Sequence, residues 1–122
     1  MRRRHCTNHG QATVELALAI PLLMTVLLAA VQVTIVIRAQ LAVTAAAREA
    51  ARAAAVSASP SGAASAAAQS ATSLEDLEVR TSTVERMVRV EVRARVPTDV
   101  PLVGAFVGEV TVTADASMAI ET

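Results

Sequence analysis

The chain has 122 residues, no net formal charge, a single cysteine and a single aromatic side chain, Phe106. That leaves room for one small domain, or for a membrane segment with a smaller domain behind it. One cysteine excludes an intrachain disulfide framework, and one aromatic gives neither a stacking face for nucleic acid nor the usual filling of a soluble core.

Charge is unevenly spread along the chain. Residues 1–10 carry Arg2, Arg3 and Arg4 with no acid and read as a basic leader. Residues 57–122 carry five arginines against nine carboxylates, a surplus of four negative charges. An acidic segment has no electrostatic reason to seek phosphates, so no nucleic-acid partner is expected.

After the leader, residues 16–37, LALAIPLLMTVLLAAVQVTIVI, form a run of 22 positions without a charge. As a helix rising about 1.5 Å per residue the run spans roughly 33 Å, enough for a hydrocarbon core of about 30 Å. Pro21 is expected in the first helical turns, where a missing N–H is most easily tolerated. Gln32 and Thr34 read either as a polar spot near the far interface or as donors to a neighbouring helix. A cleaved secretory signal has a shorter apolar core, about 7–15 residues, so the segment is read as retained, although AVTAAA at 42–47 offers small residues to a peptidase. Cys6 precedes the apolar run, unlike a lipoprotein cysteine. Arg2, Arg3 and Arg4 on one side and Arg38, Arg48 and Arg52 on the other leave the positive-inside count tied.

Residues 38–56, RAQLAVTAAAREAARAAAV, are alanine-rich without Gly or Pro and should prolong the helix. Glu49 can pair with Arg52 at i, i+3, and Arg48 shares a face with Arg52. The surface is read as solvated, or alternatively as a docking face. SASPSG at 57–62 breaks the helix, and residues 63–77 should form a second, marginal one. MVRVEVRARV then alternates, with Val88, Val90, Val92, Ala94 and Val96 on one face and Arg89, Glu91, Arg93 and Arg95 on the other, the mark of a half-buried strand. Residues 77–83 are its expected hairpin partner, with VERM at the turn. Residues 110–120 alternate likewise, with Val110, Val112, Ala114, Ala116, Met118 and Ile120 inward. Between these strands lies a Pro- and Gly-bearing loop from which Phe106 is expected to plug the core.

Catalysis finds no support in these residues. His5 and His9 lie in the leader, and residues 11–122 hold neither histidine nor cysteine, hence no imidazole base or thiolate. Glu75 and Asp76 have no convergent partner, and no phosphate loop or metal-ligand spacing occurs. Neither an enzyme nor a cofactor or metal site is expected.

GQATVE before the apolar run is similar to the processing site of type IV prepilin-like proteins. Extended through GQATVELALAIPLLM to AAAREAARAAA at 45–55, the chain resembles the TadE-like family of minor pilins or pseudopilins, which belong to tight-adherence (Flp-type) pilus assembly. The matching positions are Gly10, Gln11, Glu15, Leu16, Pro21 and the patch 47–54, which includes Arg48, Glu49 and Arg52. Ala50 departs where Gly is frequent, and Leu16 where an aromatic is frequent.

The resemblance implies that a prepilin peptidase cuts after Gly10 at the cytoplasmic face, leaving residues 38–122 outside a single-pass anchor. It also implies other pilin-like subunits, the pilus assembly machinery and membrane lipid as partners. Cleavage would create an α-amine at Gln11, one helical turn from Glu15. A carboxylate in a bilayer costs roughly 2.5–3.5 kcal/mol by insertion scales and wants a counter-ion; an interfacial Glu15 reaching headgroup water is the other reading. The expected fold is α+β, with a leader at 1–10, a transmembrane and extended helix at 11–56, and a small extracytoplasmic domain at 57–122. That domain should hold about three antiparallel strands and a short helix. A membrane-anchored or secreted ligand-binding module is the alternative function.

Overall fold

The computed structural model describes residues 9–121; Arg2, Arg3, Arg4, His5 and Cys6 of the leader lie outside them. One helix, α1 (His9–Ala55), runs 47 residues, roughly 70 Å. Uncharged aliphatic residues and then alanines carry it without a glycine after Gly10. Pro21 lies inside α1, about three turns from its start and deeper than expected, because the helix already begins at His9. The proline supplies no N–H to the Ala17 carbonyl. The Thr25 hydroxyl donates to the Pro21 carbonyl oxygen at 2.8 Å, a back-bond typical of Thr in apolar helices.

The second helix, α2 (Pro60–Ala71), is displaced from the expected 63–77. Pro60 opens it, since a fixed φ and a missing N–H suit the first helical position. It stops at Ala71 because Thr72 is extended, and the Thr72 hydroxyl accepts the Leu74 N–H at 3.2 Å, a local turn that competes with helical continuation. Leu77, expected to end that helix, begins a strand.

Three strands follow, β1 (Leu77–Val84), β2 (Met87–Val96) and β3 (Val110–Ala119), in an antiparallel sheet of order β1-β2-β3. Val84 pairs with Met87 across a two-residue turn whose Glu85 has φ 56. Val96 pairs with Val110 across the longer β2–β3 connection. Alternation along β2 is as expected: Val88, Val90, Val92, Ala94 and Val96 are all buried. On β3 it fades along the strand. Val112 is buried and Ala114, Ala116 and Ile120 are half-buried against the core, but Met118 is exposed, lining a hollow with Arg48 and Arg52.

Both helices lie on one face of the sheet, α1 over β2 and β3 and α2 over β1 and against α1. Their seam is built from small side chains. Ala46, Ala47, Ala50 and Ala51 of α1, with Ala64 and Ala68 of α2, are completely buried. Methyl groups let backbones approach closely, so the seam can close without large residues.

This explains why Phe106 does not fill the core as expected. It is 89% exposed, since an alanine–valine core leaves no hole for a ring. Phe106 lies on α3 (Gly104–Val107), a single turn within the β2–β3 connection. A Cβ on Gly104 would stand 2.5 Å from the Thr98 carbonyl oxygen, so only glycine permits this tight fold.

Candidate functional site

Gly10, Gln11 and Glu15 all lie in the first two turns of α1, exposed on its surface. No neighbouring atom stands within 4 Å of where a Cβ on Gly10 would be. The Gly10–Gln11 bond is therefore accessible, but in helical conformation. Cleavage would need the first turn unwound, where the N–H groups lack helical partners and glycine already weakens the helix by about 1 kcal/mol relative to alanine. Gln11 and Glu15 share a face at i, i+4, about 6 Å apart along the axis.

From Gly10 to Val31 no residue is buried. Leu16, Leu18 and Leu22 are each more than 60% exposed. The helix is long and apolar enough to cross a membrane, and only 6% of its most apolar stretch is buried within the chain, unlike the core helix of a soluble protein. A bare surface of this composition suits lipid.

Polar residues of α1 above that stretch mostly find partners within the chain. The Gln32 amide donates to the Thr98 hydroxyl at 3.3 Å, and Thr98 donates in turn to the Gly108 carbonyl. The Gln32 Oε1 is buried with no partner. Thr34 bonds back to the Ala30 carbonyl at 2.9 Å, and Gln40 donates to the Thr113 carbonyl at 2.9 Å. Within the chain, Gln32 thus bonds to the β2–β3 connection and Thr34 to its own helix. Gln40, which ties α1 to β3, was not singled out by sequence reasoning. Its signal was available, because Gln32 and Gln40 are eight residues apart on one helical face.

Arg48, Glu49 and Arg52 are exposed. Arg48 and Arg52 line one groove together with Thr44, Asp115 and Met118. Their shared face is as expected, but Glu49 and Arg52 make no ion pair with each other. The alanines between them are occupied by α2 and the sheet of the same chain, leaving the charged side chains as the free part of this segment.

The outward face of the sheet interleaves charges. Arg80 pairs with Glu78 at 2.6 Å, Arg89 with Asp115 at 2.9 Å, Arg93 with Glu91, and Arg95 lies 3.9 Å from Glu109. The hydrogen bond from Arg80 holds the Glu78 carboxyl below its usual range, with the guanidinium charge adding to it. These pairs are largely solvated and contribute little individually. No cluster of three or more His, Cys, Asp or Glu side chains able to hold a metal occurs among the described residues.

Compared with known proteins, residues 10–52 match the family model described as TadE-like protein. Over that stretch the chain is similar to this family. No curated protein and no solved structure matches it. The TadE-like match covers the candidate membrane span, the Gly10–Glu15 segment and the exposed Arg48–Glu49–Arg52 patch, and ends within α1. It associates the protein in general terms with tight-adherence pilus systems. The sheet and α2 lie beyond it.

Proposed function

We propose that this protein is a minor pilin or pseudopilin, a structural subunit without catalytic activity that supports tight-adherence pilus assembly or a related secretion apparatus. A prepilin peptidase cuts after Gly10 on the cytoplasmic side, α1 remains in the membrane, and residues 38–122 lie outside. The Gln11 amine freed by the cut neutralises Glu15 on the same or an adjacent subunit. Arg48, Glu49 and Arg52 then meet other pilin-like subunits above the lipid, and Pro21 marks where the packed helix departs from ideal geometry. The observation that carries this reading is the position of Glu15: one turn from Gln11, on one face, at the start of a bare apolar helix inside the TadE-like segment. A ligand-binding module would require an enclosed pocket. The hollow lined by Asp76, Glu78, Arg93 and Arg95 is instead open, polar surface on the outer side of the sheet.

Mass spectrometry of membrane-extracted protein should find a chain that begins at Gln11. A chain beginning after the alanine-rich 42–47 stretch would assign the cut to an ordinary signal peptidase and end the pilin reading. Glu15→Gln should leave cleavage and insertion intact but lose a charge-assisted contact of about 1.5–3 kcal/mol. Crosslinking to partner pilins should accordingly fall several-fold. Wild-type crosslinking by that variant would make Glu15 a merely interfacial residue.

A further inference from the structure

In the head formed by α2, the sheet and the upper part of α1, the β2–β3 connection leaves the sheet and turns back along the apolar part of α1. Thr98 meets Gln32, and Val103 and Val107 line a groove with Ala29, Val33 and Val36. Those helix positions belong to the uncharged run 16–37. From Ile37 back to Ala29 the axis descends about 12 Å, so the connection overlaps the last part of the candidate span.

Its composition is that of a surface meant for lipid. Residues 100–108, VPLVGAFVG, carry no charge, and Asp99 and Glu109 flank them. Leu102 is 63% exposed, Val107 52% and Phe106 89%. The only aromatic ring of the chain is therefore spent on an outward position beside the membrane helix, where amphipathic elements place their large apolar residues. Leu102 holds φ 68, a left-handed conformation unusual for a bulky residue. Strain of this kind persists where surrounding structure imposes it. The close approach of the Gly104 backbone to the Thr98 carbonyl and the bond from Thr98 to Gly108 close the turn in which Leu102 sits.

We propose that the β2–β3 connection is a second membrane-contact element, with Leu102, Phe106 and Val107 seated in the leaflet nearest the head, beside α1. The occupant of this face is lipid, because the face continues the bare apolar surface of α1 at the same level along the axis. The connection also covers Gln32, the one buried polar side chain among the described residues, and keeps its unpaired carbonyl oxygen away from acyl chains. The head thus rests on the membrane at two points and is not held above it on a stalk. This inference depends on α1 spanning the membrane, as proposed above.

The chain has no tryptophan, so single substitutions give unambiguous fluorescence reporters. Phe106→Trp, Leu23→Trp and Val84→Trp variants of the full chain would be reconstituted in phosphatidylcholine–phosphatidylglycerol vesicles, with and without lipids brominated near the headgroup end of their acyl chains. Leu23→Trp reports the α1 span, and Val84→Trp reports the exposed hairpin at the far end of the sheet. Phe106→Trp should emit at shorter wavelength than Val84→Trp and be quenched several-fold by brominated lipid, while Val84→Trp is unaffected. Quenching of Leu23→Trp with none of Phe106→Trp would overturn the proposal while leaving the span intact. In that case, short-wavelength emission from Phe106→Trp would assign the face to a protein neighbour, and long-wavelength emission quenched by aqueous iodide would assign it to water. If Leu23→Trp itself escapes brominated lipid, the membrane reading of α1 fails and the proposal falls with it.

Discussion

The two halves of α1 share backbone geometry and an aliphatic composition, yet they are built for different surroundings. Residues 10–31 present leucine, isoleucine and valine on all sides, none of them buried. Residues 32–55 bury a seam of alanines and Val43 against α2 and the sheet. Large side chains on every face suit a fluid solvent such as lipid, which adapts to any outline. Small side chains on selected faces suit a fixed protein partner whose backbone must come close. In one helix, side-chain size and its angular distribution thus mark where burial by the rest of the chain begins.

The sharpest test of that contrast is the same substitution in both halves. Ala50 is fully buried, and Ala50→Leu should destabilise the head by about 2–3 kcal/mol through overpacking. Ala19→Leu, on the bare half, should leave the unfolding midpoint of the head unchanged. Circular dichroism during thermal unfolding in detergent reads both, and equal losses would dissolve the distinction between the halves.

A smaller effect is expected at the junction. Thr98→Val removes the partner of the buried Gln32 amide and should cost about 1–2 kcal/mol, because a buried polar group left unpaired carries its full desolvation penalty. Adding Gln32→Leu removes that unpaired group and should recover most of the loss. Failure of the double variant to recover would show that the connection packs against α1 independently of Gln32.

The smallest effect belongs to the outer face of the sheet, remote from both halves. The folded-state pKa of Glu78 is depressed by Arg80, so its contribution to stability is present above the ordinary carboxylate range and is lost as pH falls through the folded value. Glu78→Gln should therefore lower the unfolding midpoint slightly at neutral pH and not at acidic pH. An equal shift at both would remove the ion pair as the cause.

Much of this fold was legible in the primary structure because its signals are local. Alternation set β2 and placed residues 77–83 as its hairpin partner, and the uncharged run set the lower half of α1. The TadE-like segment was legible for the same reason: a glycine, a glutamate five residues later and an apolar run form a contiguous pattern. The ends of α2 were not legible, since an alanine-rich stretch has no periodicity to mark which residues face a partner. Phe106 was misplaced because a large apolar residue is ordinarily assigned to the core, and only the assembled structure shows a core of alanine and valine with no place for it. The role of Gln32 depended on Thr98, 66 residues away in sequence, a pairing that no local window contains.

Beyond Pro21, α1 continues from residue 22 to residue 55 without a proline or glycine. The bare apolar half and the head therefore share one shaft with no swivel between them, and the azimuth of the head is geared to that of the apolar half. Each residue of an α-helix turns the chain by about 100° and advances it about 1.5 Å. Inserting one residue between Leu22 and Val31 would swing Arg48 and Arg52 by more than a quarter of a revolution relative to Glu15, with every local contact preserved. The spacing between those residues is a phase relation as well as a length, and it sets the direction in which Arg48 and Arg52 point relative to Glu15.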